Sequence, residues 1–233
     1  AERGGAGPTR DRSGKRRRHP MTFYRRYVLP RLVHFVCGRR LALAERERIV
    51  PRARGTVLEI GFGSGHNLPL YDPRTVSRVV ALEPAVEMWA LAQPAVARSP
   101  VPVEALVGAA EEIALPAASV DTVVTTFTLC TVADPVAALA AARRALRPDG
   151  QLLFCEHGEA PDAAVRRWQR RLDPLWRPLA GGCHLGRPIP ELLAAGGFRV
   201  TAMTARYLGS WRPASFHYLG VAVPDAGPPG AGG

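Results

Sequence analysis

Two acidic residues and three alternating glycines form the pattern in this sequence that is best suited to hold a ligand. Glu59 is followed by Gly61, Gly63 and Gly65, and Glu83 stands about one strand-helix-strand unit further along the chain. Glycines at this spacing let the main chain turn sharply where a strand ends, and they leave backbone amides bare for a ligand. The pattern predicts binding of a flat, partly charged molecule against that turn.

The charge around the glycines decides which kind of ligand is expected. A dinucleotide fingerprint would need a glycine where His66 stands, so the third glycine comes one residue too early for it. The carboxylate of Glu59 would repel a pyrophosphate beside the turn, whereas it would attract a cation. The sequence therefore favours a ligand that carries an ammonium or sulfonium group.

Buried parallel strands are the elements that must position these residues. Apolar runs rich in β-branched residues predict seven strands, near 57–60, 78–83, 103–108, 122–127, 151–158, 198–205 and 217–223. Helices are predicted to open at His66 and to run from Pro135 through Arg147, with Pro148-Asp149-Gly150 as the stop. The carboxyl ends of the strands should face the ligand crevice.

The segment Glu59-Ile60-Gly61-Phe62-Gly63-Ser64-Gly65 resembles the first motif, E/D-x-G-x-G-x-G, of the class I S-adenosylmethionine-dependent methyltransferases. The resemblance implies an α/β fold: a Rossmann-like, seven-strand, mostly parallel sheet with helices on both faces, an antiparallel last strand and an N-terminal helical extension. It also implies S-adenosyl-L-methionine as the cofactor and a methyltransferase activity.

The resemblance assigns cofactor contacts along the strand ends. Glu83 would hold the ribose hydroxyls, and the backbone at Thr126-Phe127 would meet the amino acid end of the cofactor. Many relatives have an aspartate for the adenine amine where this chain has Ala109, so that contact is expected to pass to Ala110 and Glu111. The full implied set is Glu59, Gly61, Gly63, Gly65, Asn67, Glu83, Pro84, Ala110, Glu111, Thr126 and Phe127.

Further motifs look like the methyltransferase-like-7, or thiol S-methyltransferase, branch and its bacterial relatives. They are the T-x-x-L-C-x-V run from Thr126 to Val132, Glu156-His157, Trp168, Asp173-Pro174-Leu175-Trp176, Gly182-Cys183-His184 and Arg187. The branch implies methyl transfer to a small hydrophobic acceptor, with a thiol favoured. The predicted substrate pocket comprises Cys130, Trp168, Trp176 and His184, and His157 is the predicted catalytic base.

Other interpretations stay open at this level. His157 is equally typical of a hydrogen-bonded core histidine, Cys130 of inert packing, and the apolar stripe around Trp168 and Trp176 of ordinary core. The alternative functions are an O- or N-methyltransferase acting on a quinone, a phenol or a phospholipid amine, and a binding protein for S-adenosylmethionine without turnover. A nucleic-acid methyltransferase is disfavoured because the N/D-P-P-Y/F motif is absent.

Charge and composition divide the chain into four predicted parts. Residues 1–54 carry 16 Arg and Lys against 4 Asp and Glu, whereas residues 55–233 carry 15 against 16, so the total charge of +11 comes from the N-terminal part. We predict a disordered basic tail (1–20), an amphipathic helical segment (21–54), a methyltransferase domain (55–224) and a disordered tail (225–233). The 4 cysteines form no C-x-x-C pair, which favours a reduced cytoplasmic compartment with neither disulfides nor a metal site.

Aromatic and apolar residues alternate with arginines at helical spacing in residues 22–49, and Pro30 is predicted to interrupt the helix. The segment is too short and too charged to span a bilayer. It could be a lid packed over the cofactor pocket, or an interfacial helix in peripheral contact with an anionic membrane. Nucleic acid is not an expected partner.

Overall fold

The computed structural model describes residues 23–225. The predicted basic tail (1–20) and all but the first residue of the predicted C-terminal tail (225–233) lie outside the described residues. The strands are β1 (Gly55–Ile60), β2 (Val76–Leu82), β3 (Val103–Leu106), β4 (Val120–Thr126), β5 (Leu146–His157), β6 (Phe198–Tyr207) and β7 (Phe216–Pro224). The α-helices are α1 (Leu29–Cys37), α2 (Arg40–Ile49), α3 (Val86–Val96), α4 (Pro135–Ala145), α5 (Ala163–Leu179) and α6 (Ile189–Ala195).

The strands form one sheet in the order β3-β2-β1-β4-β5-β7-β6. β1 to β5 pair in parallel, and β7 is inserted antiparallel between β5 and β6. The predicted Rossmann-like sheet with an antiparallel last strand is therefore confirmed. Because the parallel strands run the same way, β1, β2, β4 and β5 all deliver their carboxyl ends to one edge of the sheet.

Helices cover both faces of the sheet. On one face, Leu139 of α4 and Leu193 of α6 pack in the same core cluster as Phe154 of β5. On the other face, Ile49 of α2 and Ala92 of α3 pack in a second cluster. Burial on both faces explains why the strands are continuous apolar runs instead of alternating ones.

Two of the predicted helical boundaries are wrong. The chain after the glycines forms a single 3₁₀ turn, Leu68–Leu70, where a helix opening at His66 was expected. Pro69 lies inside that turn and Pro73 follows it, and proline disfavours helix at the preceding residue. Helix α4 ends at Ala145, and β5 begins at Leu146, so the predicted stop at 148–150 is already part of the strand.

The N-terminal segment is helical but is broken at a different residue from the predicted one. A π-helical turn, Tyr24–Val28, leads directly into α1, and Pro30 sits in the first turn of α1, where its missing N–H is not needed. The break falls at Gly38 and Arg39, between α1 and α2. In residues 23–225 no helix has the length and apolar character needed to cross a membrane.

Candidate functional site

A cavity of about 440 Å³ opens at the carboxyl ends of β1, β2 and β4. This volume is within the ordinary range for small-molecule sites, about 300–1,000 Å³. Its wall combines the glycine turn, the loop after β2, the loop after β4 and the N-terminal helices. The predicted cofactor residues that line it are Gly61, Gly63, Glu83, Pro84, Ala110, Glu111, Thr126 and Phe127.

The glycine turn is held against the end of β2 by main-chain bonds. The amides of Gly61 and Phe62 both donate to the carbonyl of Leu82, at 2.9 and 3.0 Å. Gly61, Gly63 and Gly65 all have positive φ, at 71°, 60° and 78°, a region that costs other residues about 1–2 kcal/mol. A Cβ on Gly61 would also overlap the side chain of Thr128. The turn is thus restricted to glycine by conformation and by space.

Glu83 connects the glycine turn to the start of α3. Its Oε2 accepts from the amide of Gly63 at 2.9 Å, and its Oε1 accepts from the amide of Ala85 at 3.0 Å. Burial raises the pKa of Glu83, while the two amides partly oppose that rise. The carboxylate lines the cavity with lone pairs to spare, so it can accept further hydrogen bonds from vicinal hydroxyls.

Glu59 lies behind the cavity wall. It is 1% exposed, and its two oxygens accept from Asn67 Nδ2 at 2.9 Å and from the Tyr71 hydroxyl at 2.7 Å. Burial raises the pKa of Glu59 to about 7. Gly65 and Asn67 are also outside the lining. These three predicted cofactor residues therefore support the loop from behind, at a distance from the cavity surface.

Arg46 of α2 is a cavity residue that the sequence analysis missed. Its guanidinium donates to Asn67 Oδ1 at 2.8 Å and to the hydroxyl of Thr126, and it lies 5.0 Å from the ring centre of Phe127. The side chain is 5% exposed and lines the cavity. A fixed cation at this point suits the carboxylate of an amino acid ligand.

Helix α1 lies over the glycine turn. His34 Nδ1 is 2.8 Å from Ser64 Oγ, and His66 Nε2 is 3.0 Å from the carbonyl of His34. The two imidazole rings stack with centres 4.9 Å apart. Pro30 and Val33 of the same helix line the cavity. The position of α1 agrees with the lid interpretation of the N-terminal segment.

The loop after β3 closes the other end of the cavity. Ala109, Ala110 and Glu111 line it together with Met88 from α3. Oε1 of Glu111 accepts from the amide of Asp134 at 2.9 Å, which anchors the loop before α4. This side is mostly apolar and suits a flat ring.

A buried polar group lies at the end of β5, next to the loop after β4. Glu156 is fully buried, and one of its oxygens accepts from the amides of Thr128 and Leu129 at 2.9 and 3.1 Å. Burial raises the pKa of Glu156 to about 7. Next to it, His157 Nε2 lies 3.0 Å from Cys183 Sγ.

Cys183 is the centre of that group. A hydrogen bond from Cys130 lowers the pKa of the Cys183 thiol well below its usual range, with the adjacent His157 and the indole N–H of Trp176, at 3.4 Å, acting in the same direction. The sequence analysis named Cys183 only as part of a motif and gave it no role. Without the fold, nothing in its spacing distinguishes it from the other cysteines.

The predicted acceptor-side residues are only partly brought together. Cys130, His157 and Trp176 meet around Cys183, and the imidazole of His184 lies 3.3 Å from Asp173. Trp168 is 54% exposed and carries Arg171 over its ring, so the structure does not bring it into this group. None of these predicted residues is among those that line the cavity.

Comparison with known proteins places this architecture in a family. Residues 58–154 match the family model described as a methyltransferase domain. The chain is 33% identical over 172 residues to human thiol S-methyltransferase TMT1B. The aligned region covers 72% of this chain and 70% of that protein. It is 32% identical over 168 residues to the rat protein of the same name, covering 71% of this chain and 66% of the relative, just under two thirds of its length.

Solved structures share the fold. The YcgJ protein of Bacillus subtilis superposes with a TM-score of 0.62 over 80% of this chain and 98% of its own, at 17% sequence identity. A similarity at that identity concerns the architecture alone.

Replacing Gly61 and Gly63 by alanine separates conformation from space in the glycine turn. Gly61→Ala should lower the free energy of unfolding by about 1–2 kcal/mol because of its positive φ. The overlap with Thr128 should lower it by about 1–3 kcal/mol more. Gly63→Ala is the matched control, because its Cβ would make only ordinary contacts, with Met88 Cε at 3.6 Å and the carbonyl oxygen of Gly61 at 3.8 Å. Urea unfolding of both variants measures the difference. Equal losses would contradict the packing of Thr128 against the turn.

Proposed function

The chain belongs to the class I S-adenosylmethionine-dependent methyltransferases, in the family of the thiol S-methyltransferases, and we propose that it methylates the sulfur of a small hydrophobic thiol. The observation that carries the proposal is the likeness to relatives named as thiol S-methyltransferases at 31–33% identity. The buried, sulfur-rich group beside the cavity supports it. Transfer to a phenolic or quinone oxygen, or to a lipid amine, is the alternative.

The cavity residues fit the cofactor from one end to the other. Glu83 offers carboxylate oxygens to the ribose hydroxyls, and the apolar wall around Ala110 and Met88 accepts the adenine. Arg46 faces the region of Thr126 and Phe127, where the carboxylate of the methionine part would lie. Glu59 supports the turn from behind through its hydrogen bonds with Asn67 and Tyr71.

Methyl transfer to a thiol needs alignment more than acid–base chemistry. The cofactor supplies an electrophilic methyl group on a sulfonium, and the acceptor must approach it in line as a thiolate. The chain contributes a cavity partly covered by α1 and a fixed guanidinium at Arg46. Thioether and S-adenosylhomocysteine are the products, and the proton of the thiol passes to the protein or to solvent.

His157 is proposed to act on the acceptor side. It does not line the cavity, and its Nε2 is already 3.0 Å from Cys183 Sγ. A role in proton transfer would therefore pass through the His157–Cys183 pair.

Two of the remaining expectations stay proposals. A cytoplasmic location is supported by the four free cysteines. Peripheral contact with an anionic membrane through 22–49 is supported by exposed apolar side chains on this segment, with Phe35 64% and Leu41 59% exposed.

Incubation with methyl-labelled cofactor and a panel of acceptors tests the proposed function. We expect label in alkyl thiols, because the thiolate is the stronger nucleophile at neutral pH. The panel includes phenols, quinones and phosphatidylethanolamine at matched concentration. Label in one of these acceptors alone would shift the assignment to oxygen or nitrogen. No transfer to any acceptor, with the cofactor still bound, would leave a binding protein without turnover.

Replacing Glu83 by glutamine should weaken cofactor binding by about tenfold to a hundredfold, because hydrogen bonds to a charged group contribute about 1.5–3 kcal/mol. Isothermal calorimetry with S-adenosylhomocysteine measures the change. Glu104→Gln is the control, since Glu104 is an exposed residue of β3 that pairs with Arg78. An unchanged affinity in Glu83→Gln would exclude the ribose contact.

Replacing His157 by alanine should lower kcat at least about tenfold while the affinity for S-adenosylhomocysteine stays within about twofold. The affinity should persist because His157 contacts Cys183 and does not line the cavity. Turnover with the thiol substrate and calorimetry on the same preparation give the two numbers. A parallel loss of both quantities would indicate a structural role, and a loss of neither would remove His157 from the mechanism.

A further inference from the structure

Three thiophilic side chains meet in the interior on the acceptor side. Cys130 follows β4, His157 ends β5, and Cys183 lies in the loop after α5. The two sulfur atoms and an imidazole nitrogen all lie within 4.8 Å of one another. The three residues are only 2%, 9% and 9% exposed. Residues so distant in sequence share this volume because β4 and β5 are neighbours and because the amide of His184, in the loop after α5, donates to the carbonyl of Cys130 at 2.8 Å.

We propose that Cys130, His157 and Cys183 form a binding site for a thiophilic divalent cation, with Zn²⁺ as the foremost candidate. Two sulfurs and one imidazole are donors that zinc prefers, and they are poor donors for Ca²⁺ or Mg²⁺, which need oxygen. Zn–S and Zn–N bonds of about 2.3 and 2.0–2.1 Å imply donor separations of roughly 3.5–3.8 Å in a tetrahedron. The observed cluster needs movements of less than about one ångström to meet them.

The surroundings of the cluster suit such an ion. Two thiolates neutralise a divalent cation, so the filled site adds no net charge to a buried region. The indole N–H of Trp176 points at Cys183 Sγ, at 3.4 Å, and can stabilise a bound thiolate. His157 Nδ1 has no hydrogen-bond partner among the described residues, so no protein acceptor fixes the ring from behind. We therefore expect an exchangeable ion.

The cluster leaves a fourth coordination position open. In residues 23–225 no further His, Cys, Asp or Glu atom joins the group. Three protein ligands with an open fourth position are the arrangement of zinc sites that bind an exogenous ligand. Thr131 and Gly181, which lie close in sequence to Cys130 and Cys183, line the cavity. The cluster residues are therefore sequence neighbours of residues in the cavity wall.

The ion would supply what the acceptor chemistry requires. A thiol that coordinated Zn²⁺ would pass its proton to a metal-bound hydroxide, which would leave as water, and the sulfur would be held as a nucleophilic thiolate. This step rests on the proposed thiol transfer, whereas binding of the ion itself does not. The metal site also makes His157 a ligand. Replacement of His157 should therefore lower kcat whether the residue binds the ion or transfers a proton.

Titration of the chelator-stripped, reduced full chain with Co²⁺ tests the site. Cobalt replaces zinc and gives thiolate-to-metal absorption bands that report sulfur ligands directly. We expect about one equivalent per chain, displacement by Zn²⁺, and loss of the bands in Cys183→Ala and in His157→Ala. Cys155→Ala is the control, because Cys155 is a buried cysteine of β5 outside the cluster.

Binding of S-adenosylhomocysteine and circular dichroism confirm that each variant is folded. Absence of the bands in the wild-type chain, or bands of equal strength in Cys183→Ala, would overturn the proposal. Loss of the bands in Cys155→Ala as well would also count against it. The titration uses no acceptor and no methyl transfer, so its failure would leave the proposed function untouched. Failure of the acceptor panel, in turn, would leave the metal site untouched.

Discussion

Buried carboxylates at the ends of adjacent strands are the constraint on which this site depends. Glu59 at the end of β1, Glu83 after β2 and Glu156 near the end of β5 are each at most 7% exposed. A buried carboxylate is costly unless donors satisfy it. Each one is satisfied by the segment that the site needs in place: the Asn67–Tyr71 segment, the glycine turn and the loop after β4. The hydrogen bonds that offset the cost of burying these carboxylates therefore also position the loops.

The N-terminal helices complete what the sheet begins. The edge of the sheet supplies carboxylates and backbone amides. Helix α2 supplies the arginine, and helix α1 covers the cavity. Arg46 brings positive charge to the cavity wall beside Thr126 and Phe127, and His34 ties α1 to Ser64. The arginine-rich composition of the N-terminal part is thus more than a solvated charge run, because at least one arginine is a buried part of the cavity.

The acceptor side shows a different kind of assembly. Its residues come from the ends of two neighbouring strands and from the loop after α5, and they surround the Cys183 thiol, whose pKa is lowered by the hydrogen bond from Cys130. Methyl transfer to sulfur requires a thiolate nucleophile and little else. The concentration of sulfur, imidazole and an indole donor beside the cavity is what supports the proposed transfer to a thiol.

The sequence by itself determined the fold, and eight of the eleven residues that it predicted as cofactor contacts line one cavity. Local patterns carry those features, because apolar runs set the strands and the spacing from Glu59 to Gly65 belongs to one turn. The sequence erred where local signals competed, as at the 3₁₀ turn Leu68–Leu70, where prolines outweigh the expected helix. Arg46 and the meeting of Cys130, His157 and Cys183 were decided only by the tertiary structure. Their contacts join elements far apart in the chain, and no local pattern records which buried arginine or cysteine the packing will bring to the site.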